Sequence, residues 1–305
     1  MISRLPAAAH KRAADFLHEN GTNLKRQRYA FHFECGATDR VVTAMQEYQN
    51  AGGSYGNGLE QDPRTKNSSV ICTTIALQIM AEANISPASE ILRQAISFLE
   101  QQYQFDNWPN ISSNCNDAPH APWWKFDEQW ASTSKFLANP GAEILGYLLQ
   151  YDTKLDNDTV QSLLEKAIDQ LAEDDLEMHE LLCYLRLCHC QALGENYHEA
   201  MLPLLLVHAF RLVKVEPSNW EEYGLTPIGL VDHPGSVFAD FFEDSLNSNF
   251  AYQISLQSDE GCWKPSWSWG GDCPATWAVV ETEIKAELTL KTRLQLRQFD
   301  YLGDL

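Results

Sequence analysis

Two short stretches of this chain obey one spelling rule. Gln49-Asn50-Ala51-Gly52-Gly53-Ser54-Tyr55 and Gln257-Ser258-Asp259-Glu260-Gly261-Cys262-Trp263 both read Gln, three residues, Gly, one residue, aromatic. A degraded third copy runs from Gln102 through Asp106 to Trp108, with Asp standing where the other two have Gly. A pattern that returns along a chain marks repeated supersecondary units. Each part of it has a local use. The Gly permits a turn denied to residues with a Cβ, the Gln amide can bond backbone groups left open at a helix end, and the ring can stack over a neighbouring helix. Gln49, Gly53, Tyr55, Gln257, Gly261 and Trp263 are therefore read as staples between helices.

The remaining pattern is helical. Ile91, Leu92, Ala95, Ile96 and Leu99 fall on one face, as do Val160, Leu163, Leu164, Ala167, Ile168 and Leu171, which is the spacing of an amphipathic helix. Ser86-Pro87 and Asn139-Pro140 are start signals, a capping side chain followed by a residue whose missing N–H does no harm. The spacing predicts helices near 6–19, 23–34, 38–50, 68–83, 87–103, 140–151, 157–172, 176–193, 197–214, 235–257, 274–286 and 289–299. Strand alternation is almost absent. The expected fold class is all-α, one domain over residues 1–305, either an (α/α)6 ring of about six helical hairpins or an open solenoid of the same hairpins.

Charge narrows the partners. Lys and Arg total 22 against 42 for Asp and Glu, a formal charge of −20, which repels phosphate backbones and anionic lipid heads. Nucleic acid is not expected as a partner. No apolar run has the length of a membrane span, and the first residues lack the apolar core of a signal peptide. Eight scattered Cys show none of the dense spacing of a disulfide scaffold. These features read as a reduced, cytoplasmic protein.

Two stretches escape the helical pattern, residues 104–136 and residues 258–273. Long aromatic loops of this kind usually cover a pocket or act in it. Within the first, Asp117, His120, Trp123 and Trp124 lie on a Pro-rigid segment. A His can hold and tune a carboxyl group, and indole faces stabilise a passing cation; the same segment can equally be a packed plug. Glu60 and Asp62, on a Gly-rich turn, either face a cavity or cap the helix that begins near Ser68. His179 and Glu180 open a helix and either face a cavity or sit bonded in place. Cys183, Cys188, His189 and Cys190 share that helix but not one face, so one metal cannot easily gather them. Trp267, Trp269 and Trp277, with Trp263, either wall an apolar pocket or close the last helices on the first.

The repeated motif resembles the Gln-Trp repeat of squalene–hopene cyclases and oxidosqualene cyclases, relatives of protein prenyltransferase β-subunits. That resemblance implies an α/α toroid around a central apolar cavity, in a short stand-alone member. It is motif-specific at residues 49–63 and 257–277. The chain departs from the family elsewhere. Ala172-Glu173-Asp174-Asp175 lacks the first Asp of the Asp-x-Asp-Asp acid motif, Asp174 through Met178 does not complete a diphosphate motif, and Asp272-Cys273 lacks the spacing and later His of the transferase zinc site. The resemblance implies neither cofactor nor metal here. It leaves three function classes: a terpenoid cyclase or isomerase using Asp117, Glu60 or Asp62 as acid, with an acid-free pericyclase as its variant; a carrier of an apolar molecule; and a helical scaffold for another protein. The first is the expectation. His120 would tune the acid, and Trp123, Trp124, His179, Glu180, Trp267, Trp269 and Trp277 would line the substrate.

Overall fold

A computed structural model describes residues 4–128, 135–172 and 176–303. Among these residues the chain is all-α: thirteen α-helices, no strand, and only isolated bridges. The helices are α1 (Ala7–Asn20), α2 (Asn23–Phe33), α3 (Thr38–Met45), α4 (Val70–Glu82), α5 (Glu90–Gln102), α6 (Ala138–Gln150), α7 (Asn157–Leu171), α8 (Met178–Cys188), α9 (Glu195–Leu212), α10 (Pro227–Leu230), α11 (Val237–Phe241), α12 (Glu243–Ser255) and α13 (Pro274–Gln298). They form two compact units, one from Met1–Ala44 with Leu212–Leu305 and one from Met45–Arg211.

The contiguous unit is built on α6, which packs most extensively against α8 and also meets α4, α5 and α7. Its helix starts follow capping chemistry. Ser69 accepts from the Cys72 N–H at α4, Asp156 from Thr159 at α7, and Glu177 and Glu180 form a reciprocal capping box at α8. A buried carboxylate ties three of these helices. Glu143 of α6 accepts from Gln78 of α4 at 2.8 Å, from the Tyr147 hydroxyl at 2.5 Å and from Arg186 of α8 at 3.2 Å.

The other unit pairs the two ends of the chain. Leu5 donates to the Tyr301 carbonyl at 2.8 Å and Gly303 donates to the Leu5 carbonyl at 3.0 Å. Phe16 and Leu17 of α1, Tyr29 of α2 and Ala286 and Leu290 of α13 share a core with Cys262. Inside this unit lies Arg293, fully buried, its guanidinium carbon 4.5 Å from the Tyr29 ring centre and 4.4 Å from that of Phe33. Its Nη2 reaches His10 at 2.7 Å, while Nε and Nη1 have no hydrogen-bond partner. The two ring faces supply the attraction those groups lack from acceptors.

Several expected boundaries shift, among them the ends of the helices expected over 38–50 and 176–193, which close at Met45 and Cys188. Residues 274–286 and 289–299 are one helix, α13. Glu287, which interrupts the apolar stripe, is held by Arg28 at 2.9 Å, so the polar residue is satisfied without a break. The helix expected over 235–257 divides at Phe242, whose φ of −116° and ψ of 14° end α11 and begin α12. The start expected at Pro87 moves to Glu90, because Ser86 closes a separate turn, accepting at its carbonyl from Ser89 at 2.9 Å.

The two copies of the repeat adopt the same bonding. In the first, the Asn50 N–H donates to the Ser54 carbonyl at 2.8 Å and Gly53 to Asn50 at 3.1 Å; in the second, Ser258 donates to Cys262 at 2.9 Å and Gly261 to Ser258 at 2.9 Å. The aromatic backbone N–H then bonds a buried Thr hydroxyl of the following helix: Tyr55 to Thr73 of α4 at 3.3 Å, Trp263 to Thr289 of α13 at 3.2 Å. Both Thr hydroxyls also donate to the carbonyl four residues earlier, at 2.9 and 2.6 Å. Gly53 and Gly261 have φ of 85° and 90°. A Cβ would overlap Gln94 of α5 at the first and the Arg12 carbonyl of α1 at the second. The Gln residues diverge. Gln257 donates to the Ala9 carbonyl at 2.8 Å and to Gly261 at 3.0 Å, whereas the buried Nε2 of Gln49 has no partner. The third copy differs: Gln104 and Asn107 exchange backbone bonds of 3.0 Å each, one residue later in the pattern, and the Trp108 indole donates to Leu99 at 2.8 Å.

Candidate functional site

The structure joins two stretches that lie far apart in the sequence. Residues around Pro63 pair antiparallel with residues around His120. Arg64 donates to the Pro119 carbonyl at 2.9 Å and Ala121 to the Asp62 carbonyl at 3.2 Å. This pairing brings the Trp123 indole N–H to 3.2 Å from the buried Asp62 carboxylate. His120 is turned back on its own loop, with Nδ1 at 2.7 Å from the Ala118 carbonyl, so that nitrogen carries the proton. Glu60 is half-buried and accepts from the Asp62 N–H at 3.3 Å. Below the loops lies Cys72, whose thiol is pushed up to about 11 by burial; it is protonated at neutral pH and is no nucleophile.

Asp62, His120, Trp123 and Glu60 therefore form one cluster, while Asp117 stands apart from its expected role. It is exposed at the end of a short 3-10 segment, Ser113–Asp117. Its neighbour Asn116 does the positioning instead, bonding the Phe126 backbone in both directions at 2.9 and 3.2 Å. Trp124 is half-buried and Trp123 is 49% exposed.

Beside this loop pair, still within the contiguous unit, lies a cavity of about 310 Å³. Ser69 and Val70 at the start of α4, Phe105, Ile111, Phe126 and Leu137 contribute to its wall, with Lys125 and Asp127 as its only charged lining residues among those described. Described parts of the stretch 104–136, within 104–113 and 125–127, contribute to the cavity wall, but the expected acids do not. Asp117, Glu60 and Asp62 are absent from the described lining. The loop that carries Asp117 supports the wall through the bonds between Asn116 and Phe126.

The other expected residues sit elsewhere. His179 is exposed in the first turn of α8, and Glu180 serves the capping box there, accepting from the Glu177 N–H at 3.0 Å. In the unit that holds the chain ends, Trp267 is half-buried and edge-on to Tyr223 at 5.7 Å. Trp269 is fully buried and lies against Trp277 at 5.8 Å. No three metal-ligating side chains gather among the described residues. Cys183 and Cys190 bond separately, Cys183 towards Asn139 at 3.8 Å and Cys190 to the Gly146 carbonyl at 3.2 Å. The acidic run Glu173-Asp174-Asp175 lies outside the described residues.

Sequence reasoning singled out few of the wall residues, and among those it missed are Phe105, Asn107 and Phe126. Asn107 is buried and ties its turn to the stretch that leads into α6, donating to the Lys135 carbonyl at 3.0 Å and accepting from the Leu137 N–H at 2.6 Å. Its position in the degraded third repeat is the one signal that pointed to it. Set against known protein families and curated proteins, the sequence matches none of them, so a functional reading rests on the cavity and its wall.

Proposed function

We propose that this chain is an isomerase or cyclase of the orientation-driven kind, in which the cavity beside residues 104–127 folds a small apolar molecule into a reactive conformation. The scaffold would be an α/α toroid of helical hairpins, a reading supported by the shared bonding of the two repeat copies. One observation carries the choice of mechanism: apart from Lys125 and Asp127, the described wall is aliphatic, aromatic, hydroxyl and amide, and the candidate acids Asp62, Glu60 and Asp117 are absent from it. A wall of that kind can lower a barrier by pre-paying the entropy of alignment, and it offers few groups for protonating an alkene. Asp62 would act as a structural lock, its carboxylate holding the Trp123 indole so that the loop carrying Asn116 keeps its shape.

The same observation favours a second reading, an apolar-ligand carrier, since such a wall also suits binding without change. Product analysis separates the two. Purified protein is incubated with neutral polyenes and cyclic terpenoids and the extracts are resolved by mass spectrometry. New isomers made equally by wild type and Asp117→Asn support the orientation reading. Loss of turnover in Asp117→Asn with an unchanged melting temperature restores an acid mechanism. A ligand recovered unaltered after long incubation identifies a carrier.

A further inference from the structure

Phe105 is the most exposed large hydrophobic residue described, at 89%, and it lines the cavity. It also occupies backbone space that a bulky residue avoids. Phe105 and Asp106 have φ of 50° and 58° between the mutually bonded Gln104 and Asn107, the geometry of a two-residue hairpin turn that normally takes Asn-Gly or Asp-Gly. The surroundings hold the turn in place. The Tyr103 hydroxyl bonds Asp106 at 3.0 Å, Lys166 lies 3.6 Å from the same carboxylate, and the Asn107 amide makes two bonds to the stretch before α6. Strain kept by over-determined surroundings is a mark of function. Here it holds an aromatic ring in water at the edge of a cavity.

We propose that Phe105 is a ligand-contacting, specificity-determining residue at the cavity mouth, and that the ligand is a neutral, flat molecule of one or two rings. The proposal rests on the reading that this cavity takes a small molecule. Neutrality follows from the wall, where Lys125 and Asp127 contribute one charge of each sign. Flatness follows from Phe105, together with Phe126 and Ile111, which offer ring and aliphatic faces for stacking. Size follows from the volume: about 310 Å³ lies at the small end of ligand pockets, which suits a small cyclic molecule.

The test uses prodan, a neutral naphthalene fluorophore whose emission shifts in apolar surroundings. Saturable binding to the intact chain is expected. Phe105→Gly is expected to weaken it about tenfold, the loss of one stacked ring, without lowering the melting temperature, because Gly fits the turn and little buried area is lost. Phe105→Tyr is expected to bind as wild type. Unchanged affinity in Phe105→Gly overturns the role given to Phe105 and leaves the cavity reading intact. No saturable binding by wild type overturns both.

Discussion

His10 is buried at 2% exposure against a permanently charged guanidinium, with Arg293 Nη2 at 2.7 Å. Burial first, and the Arg293 charge second, lower its proton affinity from 6.5 to about 4. The sign follows from linkage. The folded imidazole stays neutral where the unfolded one takes up a proton, so acid stabilises the unfolded chain. The full contribution is present above pH 6.5 and is lost progressively as pH falls towards 4. At about 1.36 kcal/mol per pH unit, the difference between the two values amounts to roughly 3 kcal/mol, of which about 2.5 kcal/mol is gone by pH 4.5. The carboxylates of the chain titrate in the same range, so the measurement is a difference. Wild type and His10→Gln are unfolded with urea at several pH values from 4.5 to 7.5. The stability of wild type minus that of His10→Gln is expected to fall by about 2.5 kcal/mol across that range. A difference that stays level would mean that His10 titrates alike in the folded and unfolded chain, and that the Arg293 contact does not hold it neutral.

Two further predictions concern the repeats. Thr289→Val and Thr73→Val each leave a buried aromatic N–H without its acceptor, so each is expected to cost about 1–3 kcal/mol in urea unfolding; a loss below the error of the measurement would remove the shared Thr contact from the account. Gly261→Ala is expected to cost more than about 3 kcal/mol, since it adds a clash with the Arg12 carbonyl to an unfavourable φ. Gly52→Ala, with open space around the added methyl, should cost only about 1 kcal/mol. Equal losses at the two positions would show that backbone conformation, and not close approach to α1, sets the demand for glycine.

The local parts of this structure were legible because local rules govern them. Apolar spacing located α5 and α7, whereas the start signals Ser86-Pro87 and Asn139-Pro140 supply no side-chain cap to α5 or α6. The Gln-x3-Gly-x-aromatic spelling marked two turns whose bonds turn out equivalent. Three kinds of feature were hidden. Pairing of the Pro63 and His120 stretches is long-range and leaves no periodic trace, so the contact of Asp62 with Trp123 is invisible in the sequence. A polar residue inside an apolar stripe reads as a helix end, and only the partner Arg28 reveals why Glu287 does not break α13. The turn at Phe105-Asp106 carries none of the glycine or asparagine that advertises such geometry, because neighbours and not propensity impose it. Asp117 misled for the opposite reason: its sequence surroundings are rich in chemistry, but the backbone sets Asn116 against the Phe126 backbone and leaves Asp117 exposed.

The two units differ in how their chain is supplied, and this has a consequence during synthesis. Residues 45–211 are contiguous, so everything that unit needs has been made before α13 exists. The other unit is interrupted by that whole stretch. α1 and α2 must wait for Arg293, Glu287 and the Gln257 turn before His10, Arg28 and Ala9 find their partners. On the ribosome, where N-terminal segments normally fold first, this chain is expected to complete its middle while its beginning still waits with apolar faces uncovered, and chaperone demand should concentrate on the first 44 residues.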